Sequence, residues 1–214
     1  MKFKLSKKGQ ALIDMYQHMV SGGYLRKDGV DLNDAFGNFE LRFYQIPIKE
    51  QFNQFRVKTI LDYGGGDSDW TAKNFSNNGD SAQEYFGLDQ CFKYEPGRKI
   101  DERTQVDCVL SFDVLEHIFI ADIDNTLNDI FSYAKKLVIL NIANYPANAK
   151  LPNGENAHIT IRNKFWWKAK LDSCAIKYPN ISIQLLISSD YQKTESFPIY
   201  RGQDWLDSEK YQTE

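Results

Sequence analysis

The sequence predicts a doubly wound α/β fold, in which a mostly parallel sheet is covered by helices on both faces. Three observations carry this. From residue 57 onward, short runs rich in branched apolar residues alternate with stretches of helical spacing. The first of these runs leads directly into Gly64-Gly65-Gly66, a turn at the end of a strand. The chain has 214 residues, 42% of them hydrophobic and 14% aromatic, enough for one domain with a substantial core.

Taken in order, residues 9–20 read as a helix with Leu12, Met15, Tyr16 and Met19 on one face. "SGGYLRKDG" reads as a loop. Residues 41–55 have helical spacing through Phe43, Ile46 and Phe52, limited by Pro47. These pieces form an N-terminal helical extension over residues 1–56, part of the same domain as the sheet-bearing unit of residues 57–214. In that unit "VKTILDY" is the first strand. The polar "DSDWTAKNFSNN" follows, with Trp70 and Phe75 one helical face apart. "EYFGLD" is a second strand ending in Asp89, and "VDCVLSF" a third. A helix over "IADIDNTLNDIFSYAKK", a strand "KLVILNI", a helix over "RNKFWWKAKLDSCAIKY" and a late strand "ISIQLLIS" complete the pattern. Between Asp89 and Val106 there is little room for a full helix and strand, and Pro96-Gly97 interrupts it, so the segment after strand two is expected to be shortened.

Composition removes several classes. Lys and Arg total 26 against 29 Asp and Glu, a formal charge of −3, which offers no bulk footprint for nucleic acid. Cys91, Cys108 and Cys174 are scattered, with no spacing for a zinc ribbon or a redox dithiol; a reducing cytoplasm suits them. The N-terminus lacks a long apolar run, so neither a signal peptide nor a membrane span is expected.

In open α/β sheets ligands sit beyond the carboxyl ends of the strands, where this glycine turn lies. A P-loop would need Gly-Lys-Ser/Thr, which is absent. A dinucleotide turn would want a small residue three positions after Gly66, where Asp69 stands; with Asp62 and Asp67 nearby, carboxylates would repel a pyrophosphate. A sulfonium nucleoside with an amino-acid tail fits better. "ILDYGGGDSDW", "YFGLD", "VDCVLSFDVLEHI" and "KLVILNIANYP", in that order, resemble the class I S-adenosylmethionine-dependent methyltransferases, a Rossmann-like family, over residues 57–187. "LPNGENAHITIRNKFWW" is similar to a set of methyltransferases found in marine bacteria and phages. The resemblance implies that Gly64, Gly65 and Gly66 pass the methionine portion of S-adenosylmethionine and that Asp62 orients its ammonium group. It implies that Asp89 accepts the ribose hydroxyls, that Asp101 stands on the adenine side, and that Phe112 and Asp113 lie near the reactive methyl.

"DVLEHI" places Asp113, Glu116 and His117 at i, i+3 and i+4, on one face of a helical turn, with Val114, Leu115 and Ile118 pointing elsewhere. His158 follows in the loop after the fourth strand and emerges at the same sheet edge. Three readings stand open. Glu116 and His117 fix the turn by local hydrogen bonds. Alternatively Asp113, His117 or His158 takes a proton from an acceptor hydroxyl. In the third, Asp113, Glu116, His117 and His158 hold a divalent metal. That set is similar to those of the ubiquinone-pathway O-methyltransferases and the small-RNA terminal 2′-O-methyltransferases, whose first acid is glutamate where this chain has Asp113. Asn141, Asn144 and Tyr145 are candidates for positioning an acceptor, and Trp166 and Trp167 for its pocket or for the core.

The expected function is methyl transfer to an oxygen or nitrogen of a small metabolite or saccharide precursor. The alternatives are a metal-assisted O-methyltransferase acting on an RNA end or a quinone-like hydroxyl, and a non-catalytic module that binds S-adenosylmethionine.

Overall fold

Ser6 opens the first helix: its side chain accepts the Gly9 N–H, and α1 runs Lys7–Gly22. The computed structural model describes residues 3–25, 31–32, 39–190 and 193–206. Ser21 and Gly22 of the expected loop belong to α1, and Tyr24–Leu25 within it is a strand, β1, paired antiparallel with β2 (Asp31–Leu32) just beyond the loop, while residues 26–30 lie outside the described residues. The expected helix over residues 41–55 is two helices, α2 (Phe39–Phe43) and α3 (Gln45–Phe55). Pro47 sits in the first turn of α3, where its missing N–H costs nothing. The break at Tyr44 resets the helical phase. Leu41, Ile48 and Phe52 therefore enter the core, and Phe43 and Ile46 are exposed, contrary to the spacing argument.

After β3 (Thr59–Tyr63) no helix forms on "DSDWTAKNFSNN"; residues 64–80 are turns and bends. The Asp69 carboxylate holds part of this path by accepting from the Thr71 and Ala72 N–H groups. Trp70 and Phe75 are buried all the same, through ring contacts with Phe86. A short helix α4 (Ala82–Phe86) comes next. It is opened by a reciprocal capping box of Ser81 and Glu84 and closed by Gly87 in the left-handed region. The expected strand "EYFGLD" is therefore the end of a helix and its exit turn. The second strand is β4 (Gln90–Glu95).

A tight turn at Pro96–Arg98 and a two-residue strand β5 (Ile100–Asp101), antiparallel to β4, make the shortened segment that was expected. There follow β6 (Val106–Phe112), α5 (Ile123–Tyr133), β7 (Ala134–Ala143), α6 (Lys164–Ala175), β8 (Ser182–Asp190), β9 (Lys193–Ser196), β10 (Tyr200–Arg201) and α7 (Gly202–Leu206). The eight-stranded sheet runs β10-β8-β7-β6-β3-β4-β5, with β9 also on β8. Strands β4, β3, β6, β7 and β8 are parallel. Taken in chain order from β3 to β8, the arrangement is 3-2-1-4-5-6, the order of a doubly wound, Rossmann-like sheet. The order reverses between β3 and β6.

Alternate residues feed the two faces. Leu61, Val109, Val138 and Leu140 pack with Leu127 and Ile130 of α5 and with Trp167 and Leu171 of α6. Trp167 is fully buried there, a core residue. Ile60, Leu110, Leu137 and Ile139 pack with α3 and the Trp70–Phe75–Phe86 group. A third cluster joins Leu12 and Met19 of α1 to Ala147, Leu151 and Ala157 of the loop between β7 and α6. All three cysteines are free thiols. Among the described residues no helix is long and apolar enough to cross a membrane.

Candidate functional site

The glycine turn at the end of β3 serves the protein's own carboxylates. Gly64 has φ +83°, and a Cβ there would lie 2.4 Å from Val114 Cγ2; a Cβ on Gly65 would lie 2.4 Å from Asp62 Oδ2. Asp62 is buried, and Oδ2 accepts from Ser68 Oγ at 2.5 Å and from Trp70 Nε1 at 2.9 Å. Burial raises its carboxyl above the ordinary range, against the lowering effect of those two donors and Lys93. Its Oδ2 is directed into the turn, which ties the carboxylate to Ser68 and Trp70. No helix begins after the glycines, so no row of helix N–H groups faces a ligand here.

Asp89 is also displaced. It precedes β4, and its N–H donates to the Lys58 carbonyl at the amino edge of the sheet, the end opposite the glycine turn. The carboxylate at the carboxyl end of the second strand is Glu95. One Glu95 oxygen accepts the Gly66 N–H at 2.9 Å and the other the Gly97 N–H at 2.8 Å. Burial raises the Glu95 carboxyl. Ser81-x-x-Glu84 and Gly87 were the available signals, since they close a helix before residue 88 and move the strand, and its terminal acid, forward. Asp101 is engaged by Arg103 through contacts of 2.8 and 3.0 Å. Arg103 also reaches Asp129 and stacks over Tyr94.

The turn after β6 differs. Asp113 leaves the strand at φ +53°, donating its N–H to the Asn141 carbonyl. Residues Leu115–His117 form a 3-10 turn instead of the expected α-helical one. Phe112, at the strand end, packs its ring on Tyr44. The turn drives Glu116 beneath the sheet edge. Its side chain is fully buried, Oε1 accepts the Ala143 N–H at 2.9 Å from the end of β7, and Oε2 is buried with no hydrogen-bond partner. Burial, followed by the charge of Asp113, pushes the Glu116 carboxyl well above its ordinary range.

Both imidazoles are anchored through Nδ1. His117 Nδ1 lies 3.0 Å from the Ala157 carbonyl and 2.7 Å from the Tyr16 hydroxyl. His158 Nδ1 lies 2.5 Å from the Tyr145 carbonyl. A carbonyl only accepts, so each Nδ1 carries the hydrogen and each Nε2 the lone pair. Burial, then His158, pulls the His117 pKa down to about 3, so the ring is neutral. The loop bearing His158 is stapled by Asn156, which exchanges hydrogen bonds with the Ala147 backbone and accepts the His158 N–H.

Glu116, His117 and His158 converge, each offering one ligand atom within 4.8 Å of the others. Ligands about 2.1 Å from one ion are about 3.4 Å apart in a tetrahedral site, so the widest pair of the set must draw in by more than about 1 Å to close on an ion. Histidines held by backbone carbonyls through one ring nitrogen, beside a buried carboxylate oxygen without a hydrogen-bond partner, form a set that could hold a divalent cation. Asp113, the fourth expected ligand, falls outside the group. Its side chain is one methylene shorter than the glutamate of the similar sets. It stays half-buried beside Glu116.

The remaining candidates are engaged elsewhere. Asn141 is buried, its Oδ1 accepting from Ser188, and its Nδ2 has no partner. Tyr145 contributes its carbonyl to His158, and the Asn144 N–H donates to the Ser188 carbonyl. An open cavity of about 340 Å³ beside β4 is lined by Asp67, Trp70, Cys91 and Lys93 and by none of the three clustered residues. Comparison of the chain with protein-family models, with curated proteins and with solved structures gives no match.

Proposed function

We propose that the protein is a divalent-metal-dependent O-methyltransferase acting on a small hydroxyl-bearing metabolite or saccharide precursor. The observation that carries this reading is the convergence of Glu116, His117 and His158 at the carboxyl edge of a doubly wound sheet, beside the point where strand order reverses. S-adenosylmethionine would supply a methyl already activated on sulfur. The groups of this chain placed to hold it are the bare backbone of Gly64, Gly65 and Gly66 and the carboxylate of Glu95. A divalent ion at the cluster would supply a Lewis acid that makes an acceptor hydroxyl more acidic.

Two imidazoles and one carboxylate suit a borderline ion such as Mn²⁺, Co²⁺ or Zn²⁺. Methyl transfer would join the acceptor oxygen to the methyl carbon as the carbon–sulfur bond breaks, with that electron pair left on sulfur. Asp113, half-buried beside Glu116, takes the hydroxyl proton and passes it to water. Val114 places an apolar side chain between the two turns and limits water there. The balanced charge of the chain weighs against an RNA end as acceptor.

A test is transfer of labelled methyl to catechols and vicinal-diol sugars, with and without chelator. Turnover that needs Mn²⁺ or Co²⁺ and is lost in His158→Ala is the expected result; equal turnover in chelator would remove the metal from the mechanism. A second reading is favoured by the internal use of Asp62 and the contact of Val114 with Gly64: a metal-binding protein without methyl transfer. Calorimetry with S-adenosylmethionine separates the two, because that reading requires no heat of binding.

A further inference from the structure

Tyr16 belongs to α1, far in sequence from every residue of the cluster, yet its hydroxyl sits on His117. The rings are edge to face, 5.6 Å apart at 87°. The hydroxyl is 2.7 Å from His117 Nδ1 and 3.3 Å from the Ala157 carbonyl. Since Nδ1 carries a hydrogen, the tyrosine oxygen accepts from it, and the tyrosine's own hydrogen goes to Ala157. Ala157 immediately precedes His158. One hydroxyl therefore ties together the two segments that bring the two histidines.

The rest of α1 is seated across the same edge. The Ser6 N–H and hydroxyl both donate to the buried Asp122 carboxylate, and Gln17 Nε2 donates to the Pro96 carbonyl next to Glu95. Leu12 and Met19 are buried against Ala147, Leu151 and Ala157. The helix thus bridges the exits of β4, β6 and β7. We propose that Tyr16 is a positioning residue of the Glu116–His117–His158 centre, and that through it metal binding and the seating of α1 are coupled. This rests on the metal reading above. Without the hydroxyl, His117 keeps one of its two Nδ1 partners, and the Ala157 carbonyl loses a donor. The ring then has more freedom to swing its Nε2 away from the cluster. Groups of this kind around a metal histidine typically change affinity 10- to 100-fold. Coupling is reciprocal, so an ion at the cluster must also hold α1 in place.

The experiment uses Co²⁺ and its visible d–d band with the full chain, in wild type, Tyr16→Phe and Gln17→Ala. The wild type is expected to bind. Tyr16→Phe should bind about tenfold more weakly with a shifted band. Gln17→Ala, which removes one contact of the helix to the β4 exit and leaves Tyr16 on His117, should keep the wild-type band and weaken affinity by no more than about twofold. Hydrogen exchange of the α1 amides should slow on adding Co²⁺ in the wild type and much less in Tyr16→Phe. Unchanged affinity and band in Tyr16→Phe would overturn the proposal while leaving the metal centre standing, as would equal weakening in Gln17→Ala. A wild type that binds no Co²⁺ would overturn the metal centre itself, and this coupling with it.

Discussion

After β3 the chain turns through Gly64-Gly65-Gly66, and after β6 it turns through Asp113-Val114-Leu115; the two turns touch where Val114 meets Gly64. Both follow buried parallel strands, both use positive φ, and both carry buried carboxylates. The first is tied largely to itself: Asp62 Oδ2 accepts from Ser68 and Trp70, and each Glu95 oxygen accepts one backbone N–H. The second is left open. Glu116 keeps a buried oxygen without a hydrogen-bond partner, and the His117 and His158 rings converge on the same place. An unsatisfied buried acceptor costs about 1–3 kcal/mol, and more if charged, so it is retained where something else satisfies it. The glycine signature catches the eye in the sequence, whereas the unmet hydrogen bond identifies the chemistry.

The comparison breaks hardest at Gly64. A side chain there meets a φ of +83° and the methyl of Val114 together. Gly64→Ala should lower stability by about 3–4 kcal/mol in urea unfolding. A loss under about 1 kcal/mol would mean that the turn has room for a side chain and that Val114 does not close it.

At the open turn the expectation is reversed: ligand binding is lost and stability kept. Glu116→Gln preserves an acceptor for the Ala143 N–H and removes a carboxyl whose charged form burial disfavours. The apoprotein should unfold at the same temperature or higher. Co²⁺ affinity should fall by at least about 100-fold, close to 2.7 kcal/mol. Stability lost with Co²⁺ affinity intact would make Glu116 a structural residue.

Much of this was legible before any coordinates. The strand alternation, the shortened segment after the second strand and the turn at residues 64–66 rest on local chemistry that a sequence displays. The meeting of Glu116 and His117 with His158 was expected because topology brings both segments to one edge. The second strand was misplaced because the apolar density of "EYFGLD" outweighed a capping box and an αL glycine within and beside it. Trp70 and Phe75 suggested a helical face but are buried by ring contacts with Phe86 and Tyr85, which need no helix. Tyr16 was read only as part of an apolar face, since its hydroxyl's partner is determined by packing between remote segments.

Asp62 sharpens the contrast through pH. Its carboxyl is raised in the folded protein, so the protonated form is the better-tolerated one. Its contribution to stability is present below the unfolded carboxylate pKa and is lost as pH rises through the folded one. Asp62→Asn keeps an oxygen for Ser68 and Trp70 and does not titrate. The stability of this variant relative to wild type should therefore increase between pH 3 and pH 7, by a Tm difference on the order of 2 °C. A relative stability that falls across that range would mean that Asp62 works as an ion, available to a cationic ligand.

The smallest effect expected is at Asp89. Its side chain is exposed at the amino edge of the sheet, whereas bound ligands in such sheets occupy the carboxyl edge. Asp89→Ala should change stability by less than about 0.5 kcal/mol and leave any affinity for S-adenosylmethionine or its demethylated product untouched. Glu95→Gln should weaken that affinity, because a carboxylate accepts from two hydroxyls where an amide accepts with one oxygen. Calorimetry on the pair discriminates between the two strand registers. If Asp89→Ala abolished nucleoside binding and Glu95→Gln did not, the ligand would lie beyond the opposite end of β4. The cluster of Glu116, His117 and His158 would then be too far away to act on it.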